Sequence, residues 1–293
     1  MCNRFGIECD LTEELFSVGV DEKTAKAVDE KRELLLGRLQ QHYGVTIWDI
    51  FNESAIGQER NAITSEFTDS GDSPLLDIAS GRGYFAFACA HRGIQVVAID
   101  IMNGKERAGW WKTFQTTAER LKLSKAVDGV RSTGSFLPVA PNSLRAASCI
   151  HAIRNILSRD QLIETLVEAY RVLIEGGKLI VVESSPETES ASEDTYLAYL
   201  KLRKTLGWEA DLPNQKDLRL MLERVGFKEI TFTTKRFVRD YAPVELPSFM
   251  LPNVPPKIRE EHDRIEKQRV RDGIRPPPVV IASGFKNAAE TQL

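Results

Sequence analysis

The sequence predicts an α/β protein in which a mostly parallel sheet of seven strands is covered on both faces, with a helical N-terminal extension. Three observations predict it. From residue 73 onward short apolar runs alternate with segments of helical periodicity, the pattern of successive βα units. A run of turn-forming residues, Asp69-Ser70-Gly71-Asp72-Ser73-Pro74, separates that part from residues 1–72, which read as helical and amphipathic. The stretch from Leu75 to Asp100, LLDIASGRGYFAFACAHRGIQVVAID, reads as strand, glycine turn, helix, strand and a terminal acid.

In chain order, residues 21–41 and the segment around 47–51 are expected to be helical and to form a substrate or lid region. The first strand spans Leu75 to Ile78, the first helix of the sheet domain Tyr84 to Arg92, and the second strand Ile94 to Ile99. A helix follows over about Lys105 to Leu123, then a weaker third strand near Val127 to Thr133 and a fourth from Leu144 to His151. Asp160 to Ile174 carries apolar residues at helical spacing and is closed by the Gly176-Gly177 turn. Lys178 to Glu183 is the fifth strand. Helices are predicted over Thr195 to Thr205 and Gln215 to Val225, the latter ending at Gly226 as a C-cap. Lys228 to Phe237 and Pro278 to Phe285 are strands six and seven. The insertion between them, residues 239–277, holds a proline-rich run and a mixed-charge helix from Ile258 to Arg271. That helix reads as a solvated one, laced with i,i+4 pairs.

The turn at residues 79–83 carries the chemistry. Glycine lets a ligand approach the backbone closely, and the helix that follows offers free N–H donors at its start. Asp100, about 17 residues beyond Gly83, is placed to accept both hydroxyls of a ribose. Gly81-x-Gly83-x-x-Ala86 also satisfies a dinucleotide fingerprint, so a nicotinamide cofactor is one reading. Asp77, just before the turn, favours a ligand carrying an ammonium and a sulfonium over a pyrophosphate. The cofactor expected is S-adenosyl-L-methionine.

Composition excludes several classes. The 293 residues are 42% hydrophobic and 28% charged with net charge −3, which leaves no overall basic footprint for nucleic acid. No apolar run approaches a membrane span, and the opening MCNRFGIECD lacks the core of a signal peptide. Cys2, Cys9, Cys89 and Cys149 share no close-pair spacing, so buried free thiols are expected, with no metal site and a cytoplasmic location.

Tyr170-Arg171-Val172-Leu173-Ile174-Glu175-Gly176-Gly177-Lys178-Leu179-Ile180-Val181-Val182-Glu183, with the alternation of strands and helices, resembles the class I S-adenosylmethionine-dependent methyltransferases. Over Leu144 to Ile156, LRAASCIHAIRNI, the chain resembles the ubiquinone/menaquinone-biosynthesis C-methyltransferases, whose fourth strand also runs into an Arg-Asn pair. The broader resemblance covers about residues 73–237 and implies a Rossmann-like sheet whose last strand is antiparallel. It also implies that Asp77, Ala79, Ser80, Gly81 and Gly83 surround the methionine moiety, with Asp100 on the ribose and Ile101 near the adenine.

The chain departs from the family at three places. Ala79 stands where the family has its first turn glycine, a replacement compatible with a negative φ. Arg145 replaces a residue that is usually acidic, and Thr133 or Ser135 replaces the usual acid or amide near the third strand. Adenine recognition then falls to Ser135 and the ring of Phe136.

For catalysis, His151 closes the fourth strand as a candidate general base or substrate hydrogen-bonding group, and Arg154 with Asn155 matches the pair expected to hold an enolate-like oxygen. Tyr43, Trp48, Phe51, Trp110 and Trp111 are candidates for an apolar lid. The sequence reading is a methyltransferase acting at carbon or oxygen of a small molecule, with an aromatic or quinone-like acceptor. No Asn/Asp-Pro-Pro-aromatic tetrapeptide follows the fourth strand, which argues against amino-group methylation of adenine or glutamine. RNA or protein methylation through the basic insertion, nicotinamide oxidoreduction and a binding-only chain are the alternatives.

Overall fold

The computed structural model describes residues 55–67, 71–101, 110–156, 158–207, 210–237 and 254–287. The helices expected over 21–41 and 47–51, the aromatic residues Tyr43, Trp48 and Phe51, the side chains of Trp110 and Trp111, and Cys2 and Cys9 lie outside the described residues. The described strands form one seven-stranded sheet in the order β3-β2-β1-β4-β5-β7-β6, numbered along the chain, and the chain divides into compact units at Met1–Thr133 and Gly134–Leu293.

In the first unit, α1 (Ala55–Thr64) precedes β1 (Leu75–Ile78), α2 (Tyr84–His91), β2 (Val96–Asp100), α3 (Trp110–Arg120) and β3 (Val127–Arg131). The three strands are parallel, in register from Leu75↔Val96 to Ile78↔Ile99 and from Val96↔Val127 to Asp100↔Arg131. All four residues of β1 are buried, and Phe85 to Ala90 bury nearly every face of α2, as a helix without a polar side must. β2 begins two residues later than expected because the Ile94 N–H still closes α2, donating to Cys89 O at 3.2 Å. Gly83, at φ +80, caps α2; a Cβ there would lie 2.6 Å from Cε2 of the buried Phe114 on α3. Only glycine satisfies both the left-handed backbone and that contact.

In the second unit, β4 (Leu144–Ile150) leads through a 3₁₀ turn (Ile153–Asn155) to α4 (Arg159–Val172), β5 (Leu173–Ser184), α5 (Ala191–Thr205), α6 (Gln215–Val225), β6 (Phe227–Lys235), α7 (Pro256–Asp272) and β7 (Val279–Lys286). β4 and β5 are parallel, and β7 runs antiparallel to both β5 and β6, so it alone reverses direction. The expectation for α6 holds to the residue: Asn214 caps its start by accepting from the Asp217 N–H at 2.8 Å, and Gly226 at φ +118 ends it.

Three expectations change. Gly176-Gly177 does not close a helix, because α4 has already ended at Val172 and the backbone is extended from Leu173 (φ −69, ψ 141). The glycine pair lies inside β5, where its register against β4 shifts between Leu144 and Ala146; a Cβ on Gly177 would sit 2.8 Å from Ile174 O. α5 starts at Ala191, not Thr195. Ser190 accepts from the Glu193 N–H while Glu193 accepts from the Glu189 N–H at 2.8 Å, a box that moves the helix start into the polar segment.

The helix of the insertion, α7, is not wholly solvated. Its buried Ile258 and Ile265 pack on Tyr196, Tyr199, Leu200 and Leu202 of α5. Its charged contacts are of mixed spacing: Glu261 with Arg264 at 2.6 Å and Glu266 with Arg269 at 3.2 Å are i,i+3, His262 Nε2 lies 3.7 Å from Glu266 at i,i+4, and Arg271 pairs with the adjacent Asp272 at 2.7 Å. A helix that presents one face to a neighbour keeps its charged pairs on the opposite stripe.

Candidate functional site

The turn between β1 and α2 is built by backbone geometry. Ser80 N–H donates to Ile99 O at 3.0 Å and Gly83 N–H to Ser80 O at 2.9 Å, which folds residues 79–83 back against the end of β2. Gly81 (φ +57) points its N–H at Asp100, whose Oδ2 accepts it at 2.9 Å. Ala79 adopts φ +56, contrary to the negative value expected of an alanine there. The left-handed region costs a residue with a Cβ roughly 1–2 kcal/mol. The turn therefore holds an alanine in a backbone conformation that favours glycine.

Asp77 and Asp100 are both buried, at 1% and 5% exposure, and the Ser80 hydroxyl oxygen is buried with no hydrogen-bond partner among the described residues. Burial first, and the Asp77 charge second, push the neighbouring Cys89 thiol well above its ordinary range. Two enclosed carboxylates and an open hydroxyl suit a ligand that brings positive charge and polar hydrogens. By that test the residues fit S-adenosylmethionine. Ile101, expected near an adenine, follows β2 and is 41% exposed.

Ser135 and Phe136 belong to the second unit. Phe136 is 69% exposed, so it is not a core residue, and Ser135 is half-buried. The segment just after them is stapled to α4. Arg171 Nη1 donates to Val139 O and Nη2 to Leu137 O, both at 2.9 Å, while Glu168 Oε2 accepts the Leu137 N–H at 2.8 Å. Glu168 and Arg171 also pair with each other at 2.6 Å. That hydrogen bond holds the Glu168 carboxyl below its usual range and raises Arg171.

The structure gathers His151 and Arg154 around a residue to which sequence reasoning gave no role. Glu183, buried near the end of β5, has Oε1 3.3 Å from His151 Nδ1 and 3.8 Å from Arg154 Nη1. It also accepts the Ser184 N–H at 2.9 Å and the Arg154 N–H at 3.4 Å. Burial alone would raise this carboxyl; the Arg154 charge and the His151 contact outweigh it and hold it down at about 2. Arg154 reaches on to Tyr196 OH at 3.3 Å.

His151 leaves β4 at φ +52, while its N–H still donates to Val182 O at 2.7 Å. This left-handed residue turns the imidazole toward β5. Asn155 is exposed and its amide donates to His151 O at 3.4 Å, an arrangement that braces the turn. The sequence signal for Glu183 was present: it is a carboxylate ending a run of apolar residues, Leu179 to Val182, at the carboxyl end of a strand. Tyr196 had no such signal, since it meets Arg154 from a helix 42 residues further along the chain.

Cys89 and Cys149 are free and buried, and no cluster of metal-ligating residues occurs among the described residues. No helix among them is long and apolar enough to cross a membrane.

Residues 76–181 match the family described as Methyltransferase domain. The ubiquinone/menaquinone biosynthesis C-methyltransferase UbiE of Rhizobium meliloti (strain 1021) is 30% identical over 182 residues, which cover 55% of this chain and 67% of that protein. Its counterpart in Rhizobium rhizogenes (strain K84) is 29% identical over 178 residues, covering 54% of this chain and 66% of the relative, a little under two thirds of its length. Among solved structures, phosphoethanolamine N-methyltransferase 2 of Haemonchus contortus, in complex with S-adenosyl-L-methionine, is similar at a TM-score of 0.53 and 16% identity. That match covers 86% of this chain and 60% of the other, and it speaks to the fold.

Proposed function

We propose, for a chain that belongs to the class I S-adenosylmethionine-dependent methyltransferases, that it methylates carbon or oxygen of a small acceptor bearing an acidic hydroxyl or an enolisable carbon. S-adenosylmethionine, when bound, supplies the methyl group on a sulfonium and leaves as a neutral thioether. We assign its binding to Asp77, Ser80, Gly81 and Asp100 of the first unit, with Ala79 and Gly83 shaping the turn. Ile101, which follows Asp100, is assigned to the adenine.

One observation carries the chemistry: a buried carboxylate that holds an imidazole and a guanidinium together, with His151 Nδ1 at 3.3 Å and Arg154 Nη1 at 3.8 Å from the same Glu183 oxygen. With Glu183 accepting from Nδ1–H, the imidazole carries its lone pair on Nε2, the atom suited to take a proton from the acceptor. Arg154 supplies positive charge for the oxygen that becomes anionic as that proton leaves. Asn155 holds the turn that carries both. The carbon acceptor of the UbiE relatives, as their name describes them, is in keeping with this reading. A small-molecule acceptor and a cytoplasmic location belong to the same proposal.

Two alternatives are weaker. A polynucleotide or protein acceptor reached through the insertion would rest on its basic residues, of which Arg264, Arg269 and Arg271 are each paired with an acid on α7. A nicotinamide cofactor would set its pyrophosphate near the buried Asp77, an electrostatic mismatch.

The test has two stages. Calorimetric titration of the full chain with S-adenosylhomocysteine should give saturable binding, with NADH giving none. Transfer of radiolabelled methyl to a panel of phenols, catechols and hydroquinones should then fall by about 10²–10⁴ in His151→Ala, most steeply below neutral pH. Full turnover by His151→Ala at every pH would overturn the assignment of the base.

A further inference from the structure

A cavity of about 560 Å³ opens in the second unit between the 3₁₀ turn, the start of α4, the end of α5 and the start of α6. Its size falls in the range of small-molecule sites. Ile153, Ile156, Leu162, Leu212 and Met221 give it an apolar lining. Four charged residues rim it, and three are already engaged. Lys204 pairs with Asp211, and Asp217 accepts from the Asn214 amide at 3.0 Å as part of the α6 cap. Arg159 is the exception: it is exposed, and no carboxylate among the described residues pairs with it. An apolar chamber with one uncommitted cation at its mouth complements a ligand of matching build.

We propose that this cavity is a binding site for an amphipathic organic monoanion, its apolar body between Ile156 and Leu212 and its anionic head on Arg159. The site goes beyond the methyl-transfer reading and does not depend on it, since neither His151 nor Glu183 lines it. It is nevertheless linked to that cluster by one strand of backbone. Ala210 and Ile153 both line the cavity; Ala210 donates its N–H to Arg154 O at 2.6 Å, and Ile153 is the residue before Arg154. An occupant would brace the turn that presents Arg154 to Glu183.

The experiment is calorimetric titration of the full chain, without cofactor, with decanoate and with 1-decanol. Wild type should bind decanoate saturably at one site and at least tenfold more tightly than decanol. Arg159→Gln should erase that preference while leaving decanol binding in place. Ile156→Trp should fill the chamber and remove binding of both, and Leu212→Trp repeats the test at a second lining residue should the first variant fail to fold. Absence of saturable decanoate binding by wild type overturns the site, as does undiminished binding by a folded tryptophan variant. A retained preference for decanoate in Arg159→Gln overturns the assignment of the head group.

Discussion

The Gly81 N–H donates to Asp100 Oδ2 at 2.9 Å, so the acid at the end of β2 fastens the very turn it faces. With the cofactor assignment proposed above, Asp100 has two separable duties, one to the protein and one to a ligand. Asp100→Asn can still present an oxygen to Gly81, whereas Asp100→Ala cannot. Both should weaken S-adenosylhomocysteine binding by about 1–3 kcal/mol through loss of the charged acceptor. Thermal melting should separate them: the asparagine variant stays near wild type and the alanine variant melts lower. Equal melting temperatures would deny the fastening role.

Gly83 is held by a neighbour as much as by its own φ. Gly83→Ala places a Cβ 2.6 Å from Phe114 at φ +80, and should cost about 2–4 kcal/mol, read as a lower urea midpoint at unchanged slope. Phe114→Leu combined with Gly83→Ala should be less harmful than the sum of the two, because the smaller side chain clears the space. Strict additivity would place the whole cost in the backbone.

Glu183 makes folding pH-dependent, and the sign follows from its lowered carboxyl. The folded-state value of about 2 lies below the ordinary 4.5, so the unfolded chain takes up the proton first on acidification. The stabilisation, about 3 kcal/mol from that difference, is complete above pH ~4.5 and is lost as pH falls toward 2. Urea midpoints measured from pH 6 to 2.5 should show this loss in wild type and a shallower one in Glu183→Gln. Parallel curves would mean that other carboxylates dominate.

Arg171→Ala should release the backbone of residues 137–139 from α4. The two lost carbonyl bonds imply about 1–3 kcal/mol locally, and hydrogen exchange at the Leu137 and Val139 amides should accelerate while the β4 amides stay protected. Exchange unchanged at both amides would show that the loop is held by other contacts.

Much of the fold could be read directly from the chain. β1 and α6 fall on the residues expected, because one is bounded by turn chemistry and the other by Asn214 and Gly226, signals that act over four residues or fewer. Where the reading slipped, the deciding contact was less local or the cap was masked by polarity. Ser190 and Glu193 start α5 inside a stretch that looks like loop, and the face of α7 that packs on α5 is set by Tyr196 and Tyr199, about 60 residues earlier in the chain. The candidate site divides in the same way. His151 and Arg154 could be named from their place after β4, but the carboxylate joining them lies 32 residues beyond His151. Their meeting also depends on the left-handed conformation of His151, which an L-residue adopts only under tertiary constraint.

The anchoring of residues 137–139 by Arg171 and Glu168 bears on how this protein can change over generations. Phe136 stands 69% exposed beside a backbone fastened by bonds that do not involve its ring, so the ring carries little of the fold's stability. A substitution at 136 can therefore change the surface presented there while the scaffold stays intact, leaving the position free to drift independently of folding.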